Sequence, residues 1–259
     1  MSEPLGGIGP RIGRILKKEW KSALTSKPRK VLFDHLPKCG GTTLNRYLAS
    51  HYPRRHIYTI DGINQQASID MFKELSQRDR EKYCLIRGHN ANALIEYCDN
   101  QMFAVTVLRE PVSRVISHYY YAKNNIKHYL YDYLNENDVD ISGYLDCEQT
   151  DENENWYVQH FSRMSLQNVR NNPDKAIGLA LENLRARYDL IGFLDHFSEF
   201  TDSLEEKAGF WNAYAGSREN SNPDRSYISE ISPEIIRKVE SRNSLDIALY
   251  DVISKESRG

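Results

Sequence analysis

Apolar residues along this chain fall into short continuous runs, each followed by a break and then by apolar positions at helical spacing. Val31-Leu32-Phe33 is the first run, and after a glycine-containing break Leu44, Tyr47 and Leu48 recur three and four residues apart. The order predicted there is strand, loop, helix. Residues 102–108 repeat the plan: an apolar strand, then Pro111 in a position suited to a first helical turn, then Val112, Val115, Ile116 and Tyr119 on one helix face. Tyr83 to Arg87 reads as a further strand, closed by Gly88 and His89 and followed by an amphipathic helix that runs to Tyr97. Beyond residue 135 the pattern is mostly helical. A helix is expected from about 173 to 187, a strand from Asp189 to Phe193, another helix, a polar loop and a last amphipathic helix. Strands alternating with helices predict an α/β domain with a central parallel sheet of about five strands. The acidic stretch from Asn135 to Ser162 reads as a solvated insertion.

The break after the first strand carries chemistry. Lys38-Cys39-Gly40-Gly41-Thr42-Thr43 stands where a helix begins, and the free N–H groups of a helix start form a site for an anion. Gly40 and Gly41 let the backbone approach a ligand, Thr42 and Thr43 add hydroxyls, and Lys38 adds a point charge. A plain glycine turn beside a solvated lysine accounts for the same residues equally well. The lysine precedes the glycines, the reverse of the G-x-x-x-x-G-K-[ST] loop, and the strand at 102–108 ends in Arg109 rather than in a magnesium-binding aspartate. An ordinary kinase or ATPase is disfavoured. In an open parallel sheet, ligands bind beyond the carboxyl ends of the strands, so Arg109 and Lys38 are expected to face one crevice. Arginine's planar fork suits phosphate oxygens, and Ser117 is placed to add a donor. Two anion sites imply a ligand with phosphate-like groups at both ends.

The segments "LPKCGGTTL" and "VLREPVSRVISHYYY" resemble the two signature segments of sulfotransferases that use 3′-phosphoadenosine 5′-phosphosulfate (PAPS). The resemblance is to the carbohydrate group related to heparan sulfate 2-O- and 6-O-sulfotransferases, and it implies a three-layer fold like that of the P-loop NTPases. Carried over position by position, it places Lys38, Gly40, Gly41, Thr42 and Thr43 on the 5′-phosphosulfate and Arg109 and Ser117 on the 3′-phosphate. Cys39 stands where the family usually has threonine; its backbone amide still serves the anion, and its thiol is sensitive to oxidation if the helix dipole and Lys38 lower its pKa. A late loop resembles the family's nucleotide-contacting loop and puts Arg225, Ser226 and Tyr227 near the nucleotide. His89, in a strand-glycine-histidine setting, matches the family's general base, and Lys38 would stabilise charge on the leaving oxygen. The residues from His118 to Leu134 pack six tyrosines with lysines and histidines; most read as core, and the exposed remainder suits an acceptor cleft. Arg87, His118, Lys123, Trp156 and His160 join it as acceptor contacts. The expected reaction is sulfuryl transfer to a carbohydrate hydroxyl, with no metal required. A lipid, polyketide or other small-molecule acceptor, or a degenerate module that only holds the nucleotide, fits the same motifs, and magnesium-dependent ATP turnover would revive a kinase.

Composition narrows the partners. The chain has 259 residues, 40% of them hydrophobic, enough for one sizeable core, and a formal net charge of −2. A domain-wide basic surface is missing, so general nucleic-acid binding is not expected. The four cysteines at 39, 84, 98 and 147 form no C-x-x-C pair. No long apolar stretch, secretory signal or N-x-[ST] sequon is found, which predicts a cytoplasmic protein, bacterial or phage in origin, without stable membrane insertion. Residues 1–28 are expected to form a helical extension and residues 29–259 a single domain.

Overall fold

The computed structural model of the chain describes residues 28–99, 102–210, 214 and 231–257. The expected amino-terminal extension and the loop with Arg225, Ser226 and Tyr227 lie outside the described residues. In chain order the elements are β1 (Val31–Asp34), α1 (Gly41–Ser50), β2 (Ile57–Thr59), α2 (Gln65–Glu74), α3 (Gln77–Arg80), β3 (Leu85–Gly88), β4 (Phe103–Leu108) and α4 (Pro111–Asn124). They continue with α5 (Tyr131–Glu136), α6 (Ile141–Leu145), α7 (Trp156–Ser162), α8 (Leu166–Asn171), α9 (Pro173–Arg187), β5 (Leu190–Phe193), α10 (Phe197–Ala208), α11 (Pro233–Arg242) and α12 (Ser244–Glu256).

All five strands are parallel, in the order β2-β3-β1-β4-β5. β1 lies at the centre and is buried at every position, which is why it reads as an unbroken apolar run. Alternation along it divides the core. Val31 and Phe33 pack with Val105, Leu44, Leu48, Phe200 and Leu204 on the side of α1 and α10. Leu32 packs with Ile86, Ala104, Tyr157, Phe161 and Ala180 on the side of α7, α9 and α12. Helices thus cover both faces of the sheet, as an all-parallel sheet requires. A third apolar cluster, with Val115, Ile116, Tyr144, Leu145 and Val239, joins α4, α6 and α11.

Three local expectations are corrected. The residues after His89 form a 3₁₀ stretch, Ala91–Tyr97, rather than an amphipathic α-helix. Asn90 enters it with φ of 60°, and the Asn92 N–H bonds the Asp34 carboxylate at 3.3 Å, so the turn is tied to β1. The edge strand β2 is three residues long and had no distinct apolar run to announce it. The acidic stretch from 135 to 162 is no solvated insertion: Ile141, Tyr144, Leu145, Asn153, Tyr157 and Val158 are buried. Some of its carboxylates are paired across the fold: Glu154 accepts from Arg170 at 2.7 and 2.8 Å and from Arg242 at 3.0 Å.

Candidate active site

The register that pairs Asp34 with Gly88 and with Thr106 brings the residues after β1, β3 and β4 to one edge of the sheet. His35 and Lys38 follow β1, His89 follows β3, and Arg109 follows β4. The chain passes from β3 across β1 to β4 between them, which is the switch point where open α/β sheets bind ligands.

The loop after β1 is shaped by two residues of positive φ, Lys38 at 64° and Gly40 at 75°. A lysine pays for that backbone conformation, and the loop is held there by Arg109, whose Nη1 donates to the Lys38 carbonyl at 3.3 Å. Gly40 is the N-cap of α1 and brings no side chain to cap its first turn. A ten-residue helix therefore opens on glycine, with Thr42 exposed and Thr43 half-buried beside it. That arrangement suits an anion. The Lys38 ammonium sits over the Tyr121 ring, 3.8 Å from its centroid. Ser117, one turn along α4 from Arg114, is buried, and Arg109, just before α4, is 9% exposed.

His89 is half-buried, and its Nδ1 lies 2.6 Å from the His35 carbonyl oxygen. A carbonyl oxygen only accepts, so Nδ1 carries a proton, and in the neutral form of the ring Nε2 holds the lone pair. The His35 ring stacks on it at 4.3 Å, and Asn45 Nδ2 donates to His35 Nδ1 at 3.1 Å. Burial, with the neighbouring His89 charge, drives the His35 imidazole down to about 3, so His35 stays neutral.

Several expected contacts lie elsewhere. His160 is buried, its Nε2 2.7 Å from Asp34 Oδ2, and Tyr188 donates to the same carboxylate at 2.6 Å. Burial alone would raise the Asp34 acid, but His160 and these hydrogen bonds outweigh it and hold the group below its usual range. β1 does close on an aspartate, and that carboxylate is turned into the core. His118 is buried between Tyr144 Oη at 2.7 Å and the Glu152 carboxylate at 3.1 Å. Burial opposes ionisation of Glu152, yet His118 and Arg114 together lower it to about 2. Trp156 is half-buried, stacked on His160 at 4.8 Å with the Arg114 guanidinium 5.3 Å from its ring. Lys123 donates to the Val139 carbonyl at 2.9 Å. These four serve packing and internal polar networks. Arg87 differs: it donates to Thr59 Oγ1 at 3.1 Å and to the Asn45 carbonyl at 2.6 Å while lining an open groove of about 580 Å³. Thr42, Asn45, Arg46, Arg54 and Thr59 line the same groove.

Cys39 faces inward. Its Sγ is 3.2 Å from Tyr157 Oη, and burial raises its thiol, overriding the nearby arginines. The expectation of an oxidation-sensitive thiol is reversed by that burial. Tyr157 and His35 were not singled out in the sequence; His35 had one signal, its place directly after β1.

The family comparison closes the question of class: the sulfotransferase family model matches residues 21–251. The chain belongs to the sulfotransferase family. No curated protein matches it. The matched span of this sulfotransferase covers all five strands and both helix starts that frame Lys38 and Arg109. Among the described residues of the sulfotransferase, no helix is long and apolar enough to cross a membrane.

Proposed function

We propose that this sulfotransferase transfers the sulfuryl group of PAPS to a hydroxyl of a carbohydrate acceptor by in-line displacement, with His89 as general base. The observation that carries the reading is the hydrogen bond from His89 Nδ1–H to the His35 carbonyl at 2.6 Å, which leaves Nε2 able to take a proton at the carboxyl edge of the sheet. PAPS, when bound, supplies an activated sulfuryl group on a nucleotide leaving group. The glycine-opened α1, Lys38, Thr42 and Thr43 receive its 5′ end, with Cys39 contributing its backbone amide. Arg109 and Ser117 receive the 3′-phosphate, and Arg225, Ser226 and Tyr227 are assigned to the nucleotide from sequence alone. Fit to such a doubly anionic ligand is supported by the meeting of the two cationic loops at the Lys38 carbonyl, 3.3 Å from Arg109.

As the acceptor oxygen bonds to sulfur, its proton passes to His89 Nε2. Lys38 meets the charge that grows on the leaving oxygen as the bridging S–O bond breaks. The acceptor lies along the groove of Arg87, Thr42 and Arg54, which takes in the first turn of α1 and, at Arg87, the strand that leads to His89. Release of adenosine 3′,5′-bisphosphate from PAPS, followed by mass spectrometry over a panel of oligosaccharides without added magnesium, tests the reading. Sulfated product with wild type and none with His89→Ala is expected. A panel on which no sugar gains sulfate while nucleotide is released only to a lipid or small-molecule alcohol would remove the carbohydrate assignment.

A further inference from the structure

The hydroxyl of Tyr157 does more than fill the core. It accepts from the Arg109 N–H at 3.0 Å, donates to the Arg109 carbonyl at 2.9 Å, and touches Cys39 Sγ at 3.2 Å. Arg109 stands between the end of β4 and the start of α4, where its two backbone groups have left the strand ladder and the helix has not begun. Buried backbone groups in that position need a partner, and one tyrosine hydroxyl serves both. Through Cys39 the same oxygen touches the loop after β1. It thus bridges the two loops that carry Lys38 and Arg109.

The bridge is anchored from behind. Tyr157 is fully buried on α7, and its own N–H and that of Val158 donate to Asp246 on α12, each at 2.9 Å. The Arg114 guanidinium lies 5.2 Å from the Tyr157 ring centroid and donates to the Glu152 carbonyl at 2.8 Å. Tyr157 is itself fully buried, and it meets Arg109 and Cys39 from the core side, so it acts through the loops.

We propose that Tyr157 is a positioning residue that sets the spacing between the two anion sites, and so lets the protein favour a nucleotide phosphorylated at both 3′ and 5′ over one with the 5′-phosphate alone. The proposal rests on the donor assigned under the proposed function. A ligand with two anionic groups gains from both loops only if their separation is held; a ligand with one group is indifferent to it. Removing the hydroxyl leaves two buried backbone groups and one thiol without their shared partner, and frees Arg109 to shift relative to Lys38.

The full chain carrying Tyr157→Phe, titrated with adenosine 3′,5′-bisphosphate and with adenosine 5′-monophosphate, tests this directly. The bisphosphate should weaken by ~10-fold and the monophosphate by less than ~3-fold, so that the preference itself falls. Equal weakening of both, or no weakening, would overturn the positioning role, because a tyrosine needed only for packing has no reason to distinguish them. Wild type that shows no preference at all would instead remove the donor assignment. If Tyr157→Phe does not fold, amide exchange of the wild-type chain decides: slow exchange at Arg109 is expected, and exchange at the rate of an open loop would overturn the bridge.

Discussion

His89 and His35 form one unit: the rings stack with centroids 4.3 Å apart, and the backbone oxygen of His35 holds the Nδ1 proton of His89 at 2.6 Å. The stretch that supplies the glycine loop thereby also sets the tautomer of the proposed base. The glycine loop and the proposed base are coupled through Leu36 and Pro37, the two residues between His35 and Lys38.

His89→Ala removes the proposed general base and should lower kcat by ~100-fold or more while the affinity for adenosine 3′,5′-bisphosphate changes by less than ~3-fold, because a base acts on the acceptor proton and not on the nucleotide. Steady-state kinetics paired with calorimetry checks this. A parallel loss of nucleotide affinity would make His89 a structural residue.

His35 gives the fold a pH dependence with a defined sign. Burial and the adjacent His89 charge place its native titration at about 3, while an unfolded histidine titrates near ~6.5. Between those values the unfolded chain holds a proton that the native chain does not, so native stability falls as pH falls from about 6.5. Denaturant unfolding of wild type and His35→Gln from pH 7 to 5 should diverge, the wild type losing up to ~1.4 kcal/mol per pH unit more than the variant. Parallel curves would show that His35 is protonated in the fold.

Gly41 has no room for a side chain: a Cβ there would fall 1.8 Å from His35 Cδ2 and 1.9 Å from Nε2. Gly41→Ala must displace the imidazole, at a cost of ~1–3 kcal/mol in stability. Thermal melting and turnover should both decline, and unchanged turnover would mean that the His35–His89 stack is dispensable.

The Cys39 thiol, buried and raised, should resist alkylation in the native chain, whereas the half-buried Cys84 should be labelled first. Timed iodoacetamide labelling read by mass spectrometry distinguishes them. Rapid labelling of Cys39 in folded protein would contradict its inward orientation.

Four of the five strands were legible because each is flanked by turn residues and buried enough to read as an apolar run. Ile57–Thr59 was not, since a half-exposed edge strand of three residues leaves no periodic signal. The placement of Lys38, His89 and Arg109 at one sheet edge followed from strand ends alone, and the register puts them there. Orientation was not legible. His118 and His160 carry the same residue type as His89, yet their partners Glu152 and Asp34 are 34 and 126 positions away in the chain, and only folding brings them together. The acidic stretch misled for a similar reason: counting charges from 135 to 162 does not show that Arg242 closes on Glu154 from the far end of the chain.

The measurement that bears most directly on the donor is calorimetric titration of the full chain with adenosine 3′,5′-bisphosphate and with adenosine 5′-monophosphate, without added magnesium. The account predicts tight binding of the first and poor binding of the second, with Arg109→Ala weakening only the first, by ~1.5–3 kcal/mol for a lost charge-assisted contact. Equal affinities, or binding that needs magnesium, would contradict it.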